Sequence, residues 1–182
     1  MTASALTSGT WNLDASHSEV GFSVRHAGIS KVRGSFTEFD ATLTVGETLA
    51  DSSVVADVQI ASVNTKDANR DGHLKSADFF DAEQFPAMTF KSTGIKGDSE
   101  EFVLVGELTV RGVSKEVEFD VELGGQAVDA FGATRAGFFA STTISRKEFG
   151  ITWNAALEAG GVLVSDKVKI EIDASFVLPT EA

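Results

Sequence analysis

The chain has 182 residues, 42% of them hydrophobic, which suits one domain with a full apolar core and excludes a disordered tail. Its formal net charge of −12 argues against nucleic acid and against electrostatic docking on anionic membranes, since both need a positive field. The absence of cysteine excludes disulfides and cysteine-based metal or redox sites, and 14 Phe with no Tyr supply apolar area without hydroxyls to satisfy.

Met1 to Thr10 is small and polar, without the basic residues and apolar run of a secretory leader. No stretch nears the roughly 20 apolar residues of a membrane span. A cytoplasmic protein without stable membrane insertion is therefore expected.

From there, period-2 alternation dominates. Val20, Phe22, Val24 and His26 share one face of a strand. Phe39, Ala41, Leu43 and Val45 form the next apolar set, and Phe36, out of phase with them, predicts a bend between Phe36 and Phe39. Val54, Ala56, Val58 and Ile60 follow. Ser62 to Pro86 then breaks the pattern. It is polar, rich in Asp, and carries the pair Phe79-Phe80; one or two short helices are expected across a barrel opening, as a lid or a plug.

Alternation resumes with Met88, Phe90 and Ser92, a Gly97-Asp98 turn, and Phe102, Leu104, Gly106, Leu108 and Val110. Val117, Phe119, Val121 and Leu123 alternate with Glu116, Glu118, Asp120 and Glu122, a strand with one wet face. Ala136, Phe138, Ala140, Thr142 and Ile144 make the penultimate strand. Val168, Ile170, Ile172, Ala174 and Phe176 make the last.

These eight or nine strands, many of them long, must close or stack, because open edges aggregate. The expected fold is all-β, one extended antiparallel barrel of about eight strands with a short helical lid, spanning residues 1–182 as a single domain. Small inward residues, Gly106, Ala136, Ala140 and Ala174, leave room inside such a barrel.

The motifs that carry chemistry are weak. Asp67, Asn69, Asp71, Gly72 and Leu74 fall at calcium-loop positions, but the twelfth is Asp78 rather than Glu, Lys75 adds positive charge, and a strand precedes instead of a helix. His17, His26 and His73 match no metal-ligand spacing. There is no Gly-x-Ser-x-Gly elbow, P-loop or dinucleotide fingerprint. No cofactor and no metal are expected. Arg70 suits an anionic head group at a barrel mouth or, more simply, an ion pair with Asp71, Asp78 or Asp81.

Ordered blocks run nearly end to end: Trp11-Asn12-Leu13-Asp14, Phe22-Ser23-Val24-Arg25-His26, Val32-Arg33-Gly34-Ser35-Phe36, Arg70-Asp71-Gly72-His73-Leu74, Asp78-Phe79-Phe80-Asp81, Gly106-Glu107-Leu108-Thr109, Phe149-Gly150-Ile151 and Trp153-Asn154. In these the chain resembles the YceI family of lipocalin-like, polyisoprenoid-binding proteins. The resemblance implies an extended barrel with a deep apolar channel for an isoprenoid or similar amphiphile, and it allows a homodimer.

The expected function is binding and carrying a long-chain lipid, an isoprenoid or fatty chain, without catalysis. The expected wall is Phe22, Val24, Phe36, Phe39, Leu104, Leu108, Phe138 and Phe176, with His26 and Arg70 at the polar end. The rivals are an enzyme acting on a small apolar substrate in the same cavity and a structural barrel with a packed interior.

Overall fold

In a computed structural model, residues 6–157 and 161–179 are described. The alternating stretches fall into strands β2 (Glu19–His26), β4 (Phe39–Val45), β5 (Ser53–Gln59), β7 (Ala87–Lys96), β8 (Glu101–Val110), β9 (Val113–Val128), β10 (Thr134–Ser145) and β11 (Val164–Leu178). Three strands add to the expected set: β1 (Gly9–Leu13), β3 (Ser30–Phe36) and the two-residue β6 (Val63–Asn64).

The extra strands are halves of broken ones. β1 continues into β2 through one turn of 3-10 helix at Ala15–His17, and β3 gives way to β4 at the bend after Phe36. β6 likewise extends β5. Their pairings run in parallel along the same hairpin: Asn12 faces Thr42, and Val20 faces Phe36. Counting the broken strands as units, eight antiparallel strands follow one another in chain order. The ring shuts where Asn12 faces Val177 and Leu13 faces Phe176. Closure leaves no long sheet edge exposed, which is how an all-β chain of this kind avoids edge-to-edge association.

The up-and-down order sorts the connections to two ends. At one, called here the lid end, lie the β2–β3 turn, the 65–86 connection with helix α1 (Ala68–Lys75), the β8–β9 turn and the 146–163 connection. At the other, the terminal end, lie residues 6–8, the 46–52 loop, the 97–100 and 129–133 turns and Pro179.

The lid end is closed in depth. Asp67 caps α1 by accepting from Asn69 N and Arg70 N. The chain then folds Phe79 into a cluster with Leu108, Val110, Phe149 and Ile151, while Phe80 meets Phe36 edge-on at 5.9 Å. The His73 ring packs edge-on against Phe79 and Trp153 at 4.9 and 4.8 Å. Arg111 Nη1 donates to the carbonyls of Phe79 and Gly150. Helix α1 and the turn after it therefore pack as a plug.

At the β1–β2 break, toward the terminal end, Asp14 gathers charge. Its carboxylate accepts from the Ser16 hydroxyl at 2.7 Å and from Arg135 Nη1 at 2.7 Å, and His17 Nδ1 lies 2.7 Å away. Arg135 Nε also donates to Asp129. The Ser16 hydroxyl first, then Arg135 and His17, hold the Asp14 carboxyl well below the usual carboxylate range. Arg135, with the backbone amides of Ala133 and Phe131, lowers Asp129.

A carboxylate whose pKa falls on folding contributes stability that is present above its unfolded value, about pH 4, and is lost as pH drops through the folded value. The protein is thus expected to lose melting temperature on acidification below about pH 4. Asp14→Asn should lower the neutral-pH melting temperature and flatten that acid slope, measured by thermal melts across the range. Melting curves that stay parallel to wild type at every pH would remove Asp14 from the account.

Candidate functional site

Between the lid-end plug and the terminal end the barrel encloses a cavity of about 200 Å³. Its lining is almost wholly apolar. Leu43, Val54, Ala56 and Val58 supply one side, Leu104, Leu108, Phe119 and Val121 another, and Phe138, Ala140, Ile170, Ile172, Ala174 and Phe176 a third. These are the inward positions of their strands, since successive side chains alternate faces. Leu6, Val45, Leu49 and Phe102 meet it at the terminal end.

Five of the positions expected from the sequence line this cavity: Phe39, Leu104, Leu108, Phe138 and Phe176. The other five lie elsewhere. The Phe22 ring lies over Gly34, where an added Cβ would come within 2.4 Å of it, and stacks at 5.5 Å on Phe36. Phe36 is buried in the lid-end cluster with Val58, Ile60 and Val63. Val24 faces Val32 and Val168, and exposed His26 stands at the β2–β3 turn opposite Ser30. Arg70 donates through Nε to Thr65 Oγ1 and through Nη2 to the Thr65 carbonyl, at 2.8 and 2.7 Å.

Of the small residues expected to leave room, Ala140 and Ala174 do so. Gly106 does not, because the Phe90 ring takes the space a Cβ would need, 2.4 Å away. Leu6, Leu13 and Leu49 escape any alternation pattern, since each stands at the margin of a strand or in a loop. Only apolar character marks them in the sequence.

Such a cavity offers a ligand dispersion contacts and removal from water, with almost no hydrogen-bonding partner. Asp14, Lys96, Asp129, Arg135, Arg146 and Asp166, whose acidity folding shifts, all lie outside the lining. The calcium-loop residues are turned to local bonds: Asp67 caps α1, Asp71 Oδ1 accepts from Thr65 N and Oγ1, and Asp78 Oδ2 lies 2.8 Å from His73 Nε2. Among the described residues no three His, Asp or Glu side chains converge as a metal site. No helix among them is long and apolar enough to cross a membrane.

Residues 11–176 match the profile of the YceI-like domain. A UPF0312 protein of Staphylococcus aureus is 38% identical over 169 residues, 91% of this chain and 96% of its own length. Among solved structures, Burkholderia cenocepacia BcnA superposes with a TM-score of 0.79 at 21% identity, covering 90% of this chain and 98% of BcnA. A polyisoprenoid binding domain from Saccharophagus degradans, implicated in plant cell wall breakdown, superposes at 0.71 with 13% identity, covering 93% and 98%. The two structural likenesses share the barrel.

Proposed function

Because the chain belongs to the YceI-like domain family, we propose that its barrel binds and carries a long-chain apolar lipid, a polyisoprenoid first among the candidates. The observation that carries the reading is the cavity itself, inside the barrel and almost wholly apolar. The barrel shared with a polyisoprenoid binding domain supports the same ligand class.

The driving force is burial. Each methylene moved from water into the barrel contributes about 0.8 kcal/mol, less the cost of ordering a flexible tail. A ligand held this way needs no catalytic group, and on this reading the protein acts by sequestering its cargo. Volume sets a condition. An apolar cavity of about 150 Å³ takes up benzene, so about 200 Å³ receives the end of a chain rather than a whole polyisoprenoid. The remainder must extend through an opening.

Titration with farnesol, geranylgeraniol and hexane-soluble short alcohols tests this. Affinity should rise with chain length by about 0.8 kcal/mol per added methylene until the cavity is full, and then level off. Equal affinity for all lengths, or none, would overturn the reading.

A further inference from the structure

The two ends of the barrel are shut in different ways. The lid end rests on rings packed edge to face and on the buried Arg146, which donates to several backbone carbonyls. At the terminal end the chain segment 6–8 lies across the mouth. Leu6 is only 7% exposed, joins the cluster of Trp11, Leu49 and Phe102, and lines the cavity.

Apart from the buried Leu6 side chain, what fastens this segment is hydrogen bonding, most of it at the surface. Thr7 N donates to Gln126 Oε1 at 2.9 Å, Gln126 Nε2 donates back to Thr7 Oγ1 at 2.9 Å, and Ser8 Oγ donates to the Gly46 carbonyl at 2.9 Å, all exposed. Trp11 Nε1 adds a partly buried bond to the Thr7 carbonyl at 3.0 Å. Exposed hydrogen bonds exchange with water at little net loss, so this latch releases easily. The segment meets β1 at Gly9, whose φ of +144° is a backbone conformation that other residues rarely adopt. A glycine there, facing Val45 of β4, lets the segment swing while Asn12 and Leu13 keep the β11 pairings that close the ring.

From this we infer that residues 6–8 form a hinged strap over the mouth of the cavity, with Leu6 as the stopper, Gly9 as the hinge and Gln126 as the latch. The apolar chain passes in and out at the terminal end, and with the strap displaced a long chain extends beyond the enclosed volume. The inference rests on the carrier reading and specifies how access to that site is regulated.

Stopped-flow exchange of dansyl-labelled farnesol on the full chain tests it. Gln126 does not line the cavity, so Gln126→Ala should raise association and dissociation rates together, by about threefold or more, with Kd held within about twofold. Leu6→Ser should raise the dissociation rate about tenfold, the equivalent of losing one buried leucine. Wild-type rates in Gln126→Ala, or a changed Kd without matched changes in both rates, would overturn the strap, and this variant decides the matter if Leu6→Ser does not fold. Wild-type protein that takes up no dansyl-farnesol would defeat the carrier reading and the strap together. Binding by wild type with unaltered variant rates would defeat the strap alone.

Discussion

Arg146→Ala is expected to remove about 3–5 kcal/mol of unfolding free energy. Arg146 is 4% exposed, and its hydrogen bonds among the described residues go to backbone carbonyls rather than to a carboxylate. Its guanidinium donates to four backbone carbonyls: Ile151, Trp153 and Ser165 at 2.9 Å, and Val164 at 3.2 Å. Burial pushes its pKa down and the charge of nearby Asp166 opposes that, but the side chain stays a cation. The planar fork thus ties the stretch after β10 to the first residues of β11, and it holds Phe149 and Ile151 in the lid-end plug.

Truncation would strand acceptors at about 1–3 kcal/mol for each that stays dry, although Val164 O would keep the bond from Asn154 Nδ2 at 2.7 Å. Arg146→Lys keeps a charge but cannot span four carbonyls, so about 2 kcal/mol should be lost. Urea unfolding measures both. An Ala variant within about 1 kcal/mol of wild type would mean that the plug is held by its rings alone.

The second large effect is on binding. Ala140 sits inward on β10, between Val121 on β9 and Ile172 on β11, and lines the cavity. Ala140→Phe should place a ring in the empty space. The void absorbs the added atoms, so the overpacking penalty should stay near the low end of about 1–3 kcal/mol. A ligand kept from burying three or four methylenes loses about 2.5–3 kcal/mol, or roughly a hundredfold in Kd. A folded Ala140→Phe protein that binds farnesol as wild type does would put the ligand somewhere other than this cavity.

Much of the barrel is legible in the sequence, for a physical reason. β8, β9 and β11 each have a buried and a wet face, and period-2 polarity records that directly. β3 carries no such record, because Ser30, Lys31, Arg33, Gly34 and Ser35 give it almost no apolar face. β1 is short and follows a polar segment, and its part in closing the ring comes from pairing with β11, far away in sequence.

The site is less legible. Alternation says which face a side chain takes and not how far along the barrel axis it stands. Phe22 and Phe39 both pack against the lid-end cluster of Phe36, Val58, Ile60 and Val63, yet Phe39 also reaches the cavity and Phe22 does not. Gly106 shows the same limit: a missing side chain reads as free space until the Phe90 ring is found occupying it. Leu6 depends on a chain crossing that no local pattern encodes.

Native mass spectrometry of the purified protein, paired with organic extraction, asks most directly whether the barrel shelters a hydrocarbon chain. One long-chain lipid per chain is expected, displaced by added geranylgeraniol. A protein that carries no lipid and stays unloaded in excess geranylgeraniol would contradict the carrier reading.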